Sequence, residues 1–346
     1  MSFQGREAIS VENDCVRVTV LREGGHVAEI LHKKTGVNPL WIPPWRSAEP
    51  STYDPGLHPE YGLDAESKLL VGIMGHNLCL DLFGPPSPQE AAAGLTTHGE
   101  ASVVRYEIEH QSDWLKMSAP LPLAGLTFQR ELSLDGDSVI FNETVFNSTA
   151  LDRPLAWTQH VTLGPPFLNG KTQFTFPAGR SRTFEDTSLD GGVMAAATDF
   201  QWPDMPLQNG GTVDLRVFSD EEAFSRFTTH LMTSDEHAGF AAFSPQHATV
   251  IGYQWRRDDF PWLGLWQEYK QRSRPPWNNR AVTCGLEFGV SPYPGTRRQM
   301  MRRTSLFGEP VYRWLPALGS AHVSYRAFVR SATQLTEDSW RWRMSR

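Results

Sequence analysis

Short runs of alternating apolar and polar residues, closed by turn-forming residues, dominate this chain. Cys15–Val20 (CVRVTV) alternates, Glu23-Gly24-Gly25 turns, and His26–His32 (HVAEILH) alternates again. Leu126–Leu134 and Ser138–Phe146 flank Asp135-Gly136-Asp137, a hairpin signal. Further strands are predicted over Leu155–Leu163, Val213–Phe218, Phe240–Phe243, Thr249–Trp255, Thr283–Val290 and His322–Val329. Helical spacing is scarce. One short helix is predicted at Pro88–Gly94, and a second at Ser219–Ser225, where Ser219 and Glu222 have capping-box spacing.

Many short strands with turn chemistry between them predict an all-β fold, a large antiparallel sandwich or barrel. Alternating βα units are missing, which disfavours Rossmann and TIM architectures. No linker or repeat divides the chain, so residues 1–346 read as one domain. The stretch from Asn38 to Gly62 is long, proline-rich and aromatic. Such a loop either rims a cleft or lies on the surface.

The two faces of a strand separate core from chemistry. In Thr283–Val290, Cys284, Leu286, Phe288 and Val290 form an apolar face. Glu287 stands on the opposite face between Gly285 and Gly289. Glycine inside a strand often marks close approach of a ligand or another backbone. Glu287 is therefore either a carboxylate in a hollow or a solvated strand residue beside a bulge. In Leu155–Leu163 the apolar face has one polar exception, Gln159, and His160 lies on the small polar face. That histidine either faces a ligand or satisfies a backbone carbonyl. His98, in Thr97-His98-Gly99 after a Pro/Gly-rich loop, has access to a ligand or to solvent alone. His76 and Asn77, after Gly72-Ile73-Met74-Gly75, are weaker candidates of the same kind.

In Asp259–Tyr269 an extended chain puts Trp262, Gly264, Trp266 and Glu268 on one face. Two tryptophans astride a glycine make a stacking platform for the apolar face of a sugar, or a buried aromatic strand. Trp255, Arg256 and Trp277-Asn278-Asn279 extend the same rim.

Composition narrows the function classes. Net charge is −7, and no basic stripe marks a nucleic-acid surface. The clusters Arg297, Arg298, Arg302, Arg303 and Arg341, Arg343, Arg346 are short and read as solvated faces. The three cysteines, Cys15, Cys79 and Cys284, are widely spaced and form no CxxC pair. With no leader-like N-terminus and no long apolar run, the expectation is a cytoplasmic protein that spans no membrane. Among the 11 histidines there is no HxH or HxxxH pair, so no metal or other cofactor is expected. The 12 tryptophans favour a sugar as the small-molecule partner.

In this order the residues resemble the aldose 1-epimerase (galactose mutarotase-like) superfamily. His98-Gly99 is similar to the family's first histidine. Asn147, Pro154 and His160 within Trp157–Gly164 are similar to its second. Leu286-Glu287 followed by Ser291-Pro292-Tyr293-Pro294 is similar to its late catalytic glutamate. The family's arginine before the first histidine has no counterpart; His76 or Asn77 occupies that place.

The resemblance implies a supersandwich with a concave sugar-binding face and interconversion of anomers by ring opening and closure. Glu287 would be general base on the anomeric hydroxyl, His160 general acid on the ring oxygen, and His98 a hydrogen-bonding support near C1. Two other readings stay open. One is a non-catalytic sugar-binding protein. The other is a glycoside hydrolase or lyase with Glu268 or Glu100 as second carboxylate.

Overall fold

The alternating runs become strands because each hides one face and pairs its backbone with neighbours. The computed structural model describes residues 1–186, 193–233 and 236–341. Two large antiparallel sheets, of 11 and 8 strands, face each other. The larger contains, in spatial order, β1 (His76–Leu80), β2 (Trp157–Leu163), β5 (Val282–Gly289), β4 (Trp262–Tyr269) and β3 (Phe224–Met232). Four N-terminal strands, between Ser2 and His32, precede His76–Leu80 in the order, and Ala178–Thr183 with Asp199–Gln201 closes the far edge. The smaller sheet includes Leu126–Asp135 and Ser138–Asn147, joined across Gly136 with φ +58° as the Asp-Gly signal requires.

Helices are few and short: α1 (Ser67–Gly72), α2 (Pro88–Ala92) and α3 (Arg297–Arg303). The second is the helix predicted near Pro88, capped by a Ser87–Glu90 box. The helix expected at Ser219–Ser225 does not form. That segment bends and then enters β3 at Phe224, where pairing with β4 outweighs the local capping signal. The strand expected over Val213–Phe218 shortens to Thr212–Asp214. None of the helices among the described residues is long and apolar enough to cross a membrane.

The inner faces of the two sheets meet in one large core. Phe288 of β5 stacks on Trp255 of the smaller sheet with centroids 4.1 Å apart, and meets Tyr325 edge-on at 5.4 Å. A buried polar network sits in this apolar layer. Arg130 Nε donates to Glu143 Oε1 at 2.7 Å, Gln159 Nε2 donates to Glu143 Oε2 at 2.6 Å, and the Tyr325 hydroxyl donates to Glu143 Oε1 at 2.6 Å. A buried ion pair persists only when its remaining hydrogen-bonding capacity is satisfied, and here it is. Gln159, the polar exception on the apolar face of β2, is a member of this network. So β2 is pinned from behind at the position next to His160.

Two candidate residues fall in this core and not at a binding surface. His76 is fully buried. Its Nε2 donates to Gln159 Oε1 at 3.0 Å, and the Tyr253 hydroxyl donates to its Nδ1 at 3.2 Å. Trp255 is buried against Phe288 and donates Nε1–H to the Phe260 carbonyl at 2.8 Å. Both side chains point inward because they share the core face of their strands with Leu78 and with Tyr253.

Candidate active site

The outer face of the larger sheet carries the chemistry. Across neighbouring strands the register places Asn77, His160, Glu287, Gly264 and Thr229 in one row. Cross-strand neighbours have Cβ atoms about 5 Å apart, so Glu287 and His160 are adjacent by construction. His160 Nε2 lies 3.1 Å from Glu287 Oε1, and the rings of His98 and His160 meet edge-to-face at 5.1 Å. Glu287, His160 and His98 all line one cavity of about 640 Å³.

Glycine makes the room around Glu287. A methyl group on Gly285 would stand 2.4 Å from Glu287 Oε1, and one on Gly289 would stand 2.3 Å from Thr158 Oγ1. On Gly264 it would strike the Phe227 ring at 2.6 Å. The carboxylate therefore stands in a hollow walled by backbone, which is the physical content of the two flanking glycines.

His98 comes from the loop after α2, with φ +69°. Non-glycine residues hold this conformation rarely, and such strain clusters at functional sites. The loop is fixed at several points. Leu80 N–H donates to the His98 carbonyl at 3.2 Å, and Thr97 N–H donates to the Ala65 carbonyl at 3.2 Å. His98 Nδ1–H donates to the Phe83 carbonyl at 2.7 Å. A carbonyl only accepts, so the neutral ring carries its proton on Nδ1 and leaves Nε2 as an acceptor. His98 is thus built to receive a hydroxyl hydrogen, not to stabilise an oxyanion.

Burial pushes the titration of these groups in opposite directions. It raises Glu287 well above the usual carboxylate range, with the Arg272 guanidinium opposing the rise. It lowers His160 well below the ordinary imidazole value, and the neighbouring His98 adds to that. His98 itself is pushed down to about 4 by burial. A carboxyl and an imidazole displaced in opposite directions in one cavity are candidates for acid–base chemistry.

Trp266 lines the cavity, with its ring 5.9 Å from His160. Other residues of the predicted rim do not. Trp262 lies on the expected face but is buried beneath Leu306 and Val311, and donates Nε1–H to the Pro310 carbonyl at 2.9 Å. Glu268 is fully buried; its Oε1 accepts from the backbone N–H of Gln271 at 2.7 Å and of Arg272 at 3.0 Å. It shapes the turn after β4 and does not face the cavity. Asn77 shares a row with His160, yet it is fully buried and lies outside the cavity lining.

Arg272 is the principal residue that sequence reasoning missed. Its guanidinium lies 5.2 Å from the Trp266 ring and 4.7 Å from the Trp277 ring. Such contacts between a guanidinium and aromatic faces are attractive. Trp277 packs in turn on Trp41 and Trp45 from the proline-rich stretch, with centroids 6.1 and 5.1 Å away. That stretch therefore backs the cavity wall. Arg297 and Arg303, expected on a solvated face, are engaged. Arg297 grips Asp81 through two 2.8 Å hydrogen bonds, and Arg303 holds Glu185 at 2.9 Å. Among the described residues no group of three His, Cys, Asp or Glu side chains has the arrangement of a metal site.

No family model matches the sequence, and no curated protein is detectably similar to it. Solved structures do match. A candidate aldose 1-epimerase of Klebsiella pneumoniae subsp. pneumoniae is similar with a TM-score of 0.70 at 13% identity, over 96% of this chain and 82% of that one. The galactose mutarotase related enzyme of Lactobacillus acidophilus gives 0.61 at 11% identity, covering 94% and 98%. A galactose mutarotase-like protein of Lactobacillus casei gives 0.60 at 14% identity, covering 94% and 100%. At such identities the likeness is one of fold: the chain is a galactose mutarotase-like antiparallel sandwich.

Proposed function

We propose that this protein is an aldose 1-epimerase-type isomerase that interconverts the anomers of a free sugar. The observation that carries the reading is the 3.1 Å contact between His160 Nε2 and Glu287 Oε1 at the floor of a cavity. The neighbouring His98, an acceptor for a sugar hydroxyl, supports it.

With the ring closed, the working pair is a Glu287 carboxylate and a His160 imidazolium. The carboxylate takes the proton of the anomeric hydroxyl as that oxygen becomes the carbonyl of C1. The C1–O5 bond breaks, and His160 gives its proton to O5. The open-chain sugar now faces a protonated Glu287 and a neutral His160. After rotation about C1–C2, closure runs the same transfers backwards. Burial favours the neutral pair, which is the state reached when the ring is open. The two states differ by one proton moved between adjacent groups, so the pair titrates as a unit. Positioned acid–base groups supply about 10²- to 10⁴-fold.

Neither carboxylate expected as the hydrolytic partner supports the hydrolase reading. Neither lines the cavity: Glu268 Oε1 accepts from the Gln271 and Arg272 N–H groups, and Glu100 accepts from the Ala124 N–H at 2.7 Å. The test is anomer exchange across a panel of pure reducing sugars, followed by NMR or polarimetry, with wild type and Glu287→Gln. Accelerated exchange lost on substitution supports the reading. Sugar binding without acceleration, or cleavage of a glycoside instead, overturns it.

A further inference from the structure

The cavity reaches well beyond the reacting groups. From β2, which carries His160, across β5 and β4 to β3, which supplies Ser225, Arg226 and Phe227 to the lining, is three strand spacings. At the usual spacing this is about 14 Å. A pyranose with its hydroxyls covers fewer than two such spacings. The volume of about 640 Å³ lies in the range of pockets for drug-sized ligands, larger than one small sugar needs.

The extra length is paved with aromatic rings. Phe227 leans over Gly264, directly beside Glu287. Phe184 follows with its centroid 5.8 Å from Phe227, and Tyr293 lies 5.7 Å from Phe184. All three rings line the cavity, and Phe184 and Tyr293 are half-buried, so part of each ring is open to it. Aromatic faces of this kind pack against the C–H faces of sugars.

Charge limits what can lie there. Arg303, over the Tyr293 ring, is committed to Glu185; Arg274 is committed to Asp64 and Glu66; Arg272 lies 3.8 Å from Glu66 and 3.6 Å from Glu268. Among the described lining residues there is no lysine, and five carboxylates face four guanidiniums. The fourth, Arg226, donates Nε–H to Gln267 Oε1 at 2.7 Å, so at the other three an anionic substituent would have to compete with carboxylates already in place.

We propose that the sugar turned over at Glu287 is the reducing end of an uncharged di- or oligosaccharide, with its second ring packed in the aromatic part of the cavity lined by Phe227, Phe184 and Tyr293. This rests on the epimerase reading for its chemistry, but the second subsite is a matter of binding and is testable alone.

The test compares glucose, galactose and xylose with maltose, cellobiose, lactose and xylobiose, and with glucose 6-phosphate and glucuronate. Anomer exchange is read by NMR and binding by calorimetry, for wild type, Phe184→Ala and Tyr293→Ala. The expected result is at least a tenfold higher kcat/KM, and tighter binding, for a disaccharide than for the monosaccharide of its reducing end. That ratio falls toward one in both variants, whose thermal transitions show that they remain folded. Equal or better turnover of monosaccharides overturns the proposal and leaves the epimerase reading intact, as does a preference for the phosphate or the uronate. Tighter disaccharide binding without any exchange upholds the subsite and overturns the epimerase reading.

Discussion

Replacing Glu287 by glutamine separates catalysis from stability, because the two effects have opposite signs. The side chain is 3% exposed, and three glycines leave it in a hollow that a glutamine of the same volume fills without a clash. Catalysis loses the base. At about 10²- to 10⁴-fold for a positioned acid–base group, the barrier rises by about 3–5 kcal/mol. Stability moves the other way. Burial raises the carboxyl above its unfolded value of 4.5, so the unfolded chain releases this proton more readily than the folded one. The wild-type protein therefore loses stability from this group as pH rises above about 4.5, until the folded carboxyl also ionises. Glutamine does not titrate and escapes that loss. The variant should match wild type near pH 4.5 and gain on it toward pH 8 in urea-unfolding midpoints. Exchange catalysis at pH 7 should fall at least a hundredfold in the same preparation. Exchange within threefold of wild type would refute the assignment of the base. A variant less stable than wild type at every pH would refute the account of the buried carboxyl.

Other consequences follow from the same geometry. His160→Gln should cost about as much activity as Glu287→Gln, and the double variant little more than either, because the pair works as a unit; a double loss equal to the product of the singles would deny that. Acid should destabilise the fold through buried neutral imidazoles. Burial lowers His26 and His230 to about 3 and His98 to about 4, from an unfolded value of 6.5. Their contribution is complete above pH 6.5 and is lost as pH falls, reaching about 3 kcal/mol per group near pH 4. Urea titrations at pH 7 and pH 5 check the direction. Asp81→Asn should cost about 3 kcal/mol, because it leaves Arg297 and Arg153 without the 1%-exposed carboxylate both of them grip. It should also loosen the Ser291–Arg303 wall, read as faster proteolysis there.

The period of two told which side chains share a face, and nothing more. It put Glu287 between glycines and His160 opposite the apolar residues of its strand, and both positions face the cavity. It did not tell which strands pair. That β2 lies between β1 and β5 is a long-range fact, set by the packing of both sheets. The same face rule, applied more strictly, would have removed Trp255 and His76. Trp255 shares a face with Ile251 and Tyr253, and His76 with Leu78 and Leu80; both are core faces. Trp262 and Glu268 show the limit of the rule. Both lie on the correct face, but one end of β4 is roofed by residues 304–312, and the other turns back on its own backbone. Cover is supplied by distant loops and leaves no trace in strand periodicity.

Arg272 follows from the same limit. No arginine ahead of His98 stands where the resembling family carries one. The turn after β4 brings a guanidinium over Trp266 and Trp277. There it opposes the rise in the titration of Glu287 and further lowers that of His98. A cation at this point favours the ionised carboxylate and the neutral imidazole together, which are the states the proposed ring opening would require of these two residues. What the chemistry fixes is the place of the positive charge relative to the carboxylate. The strand from which the arginine is delivered is free to vary, which is why reading the chain in order could not find it.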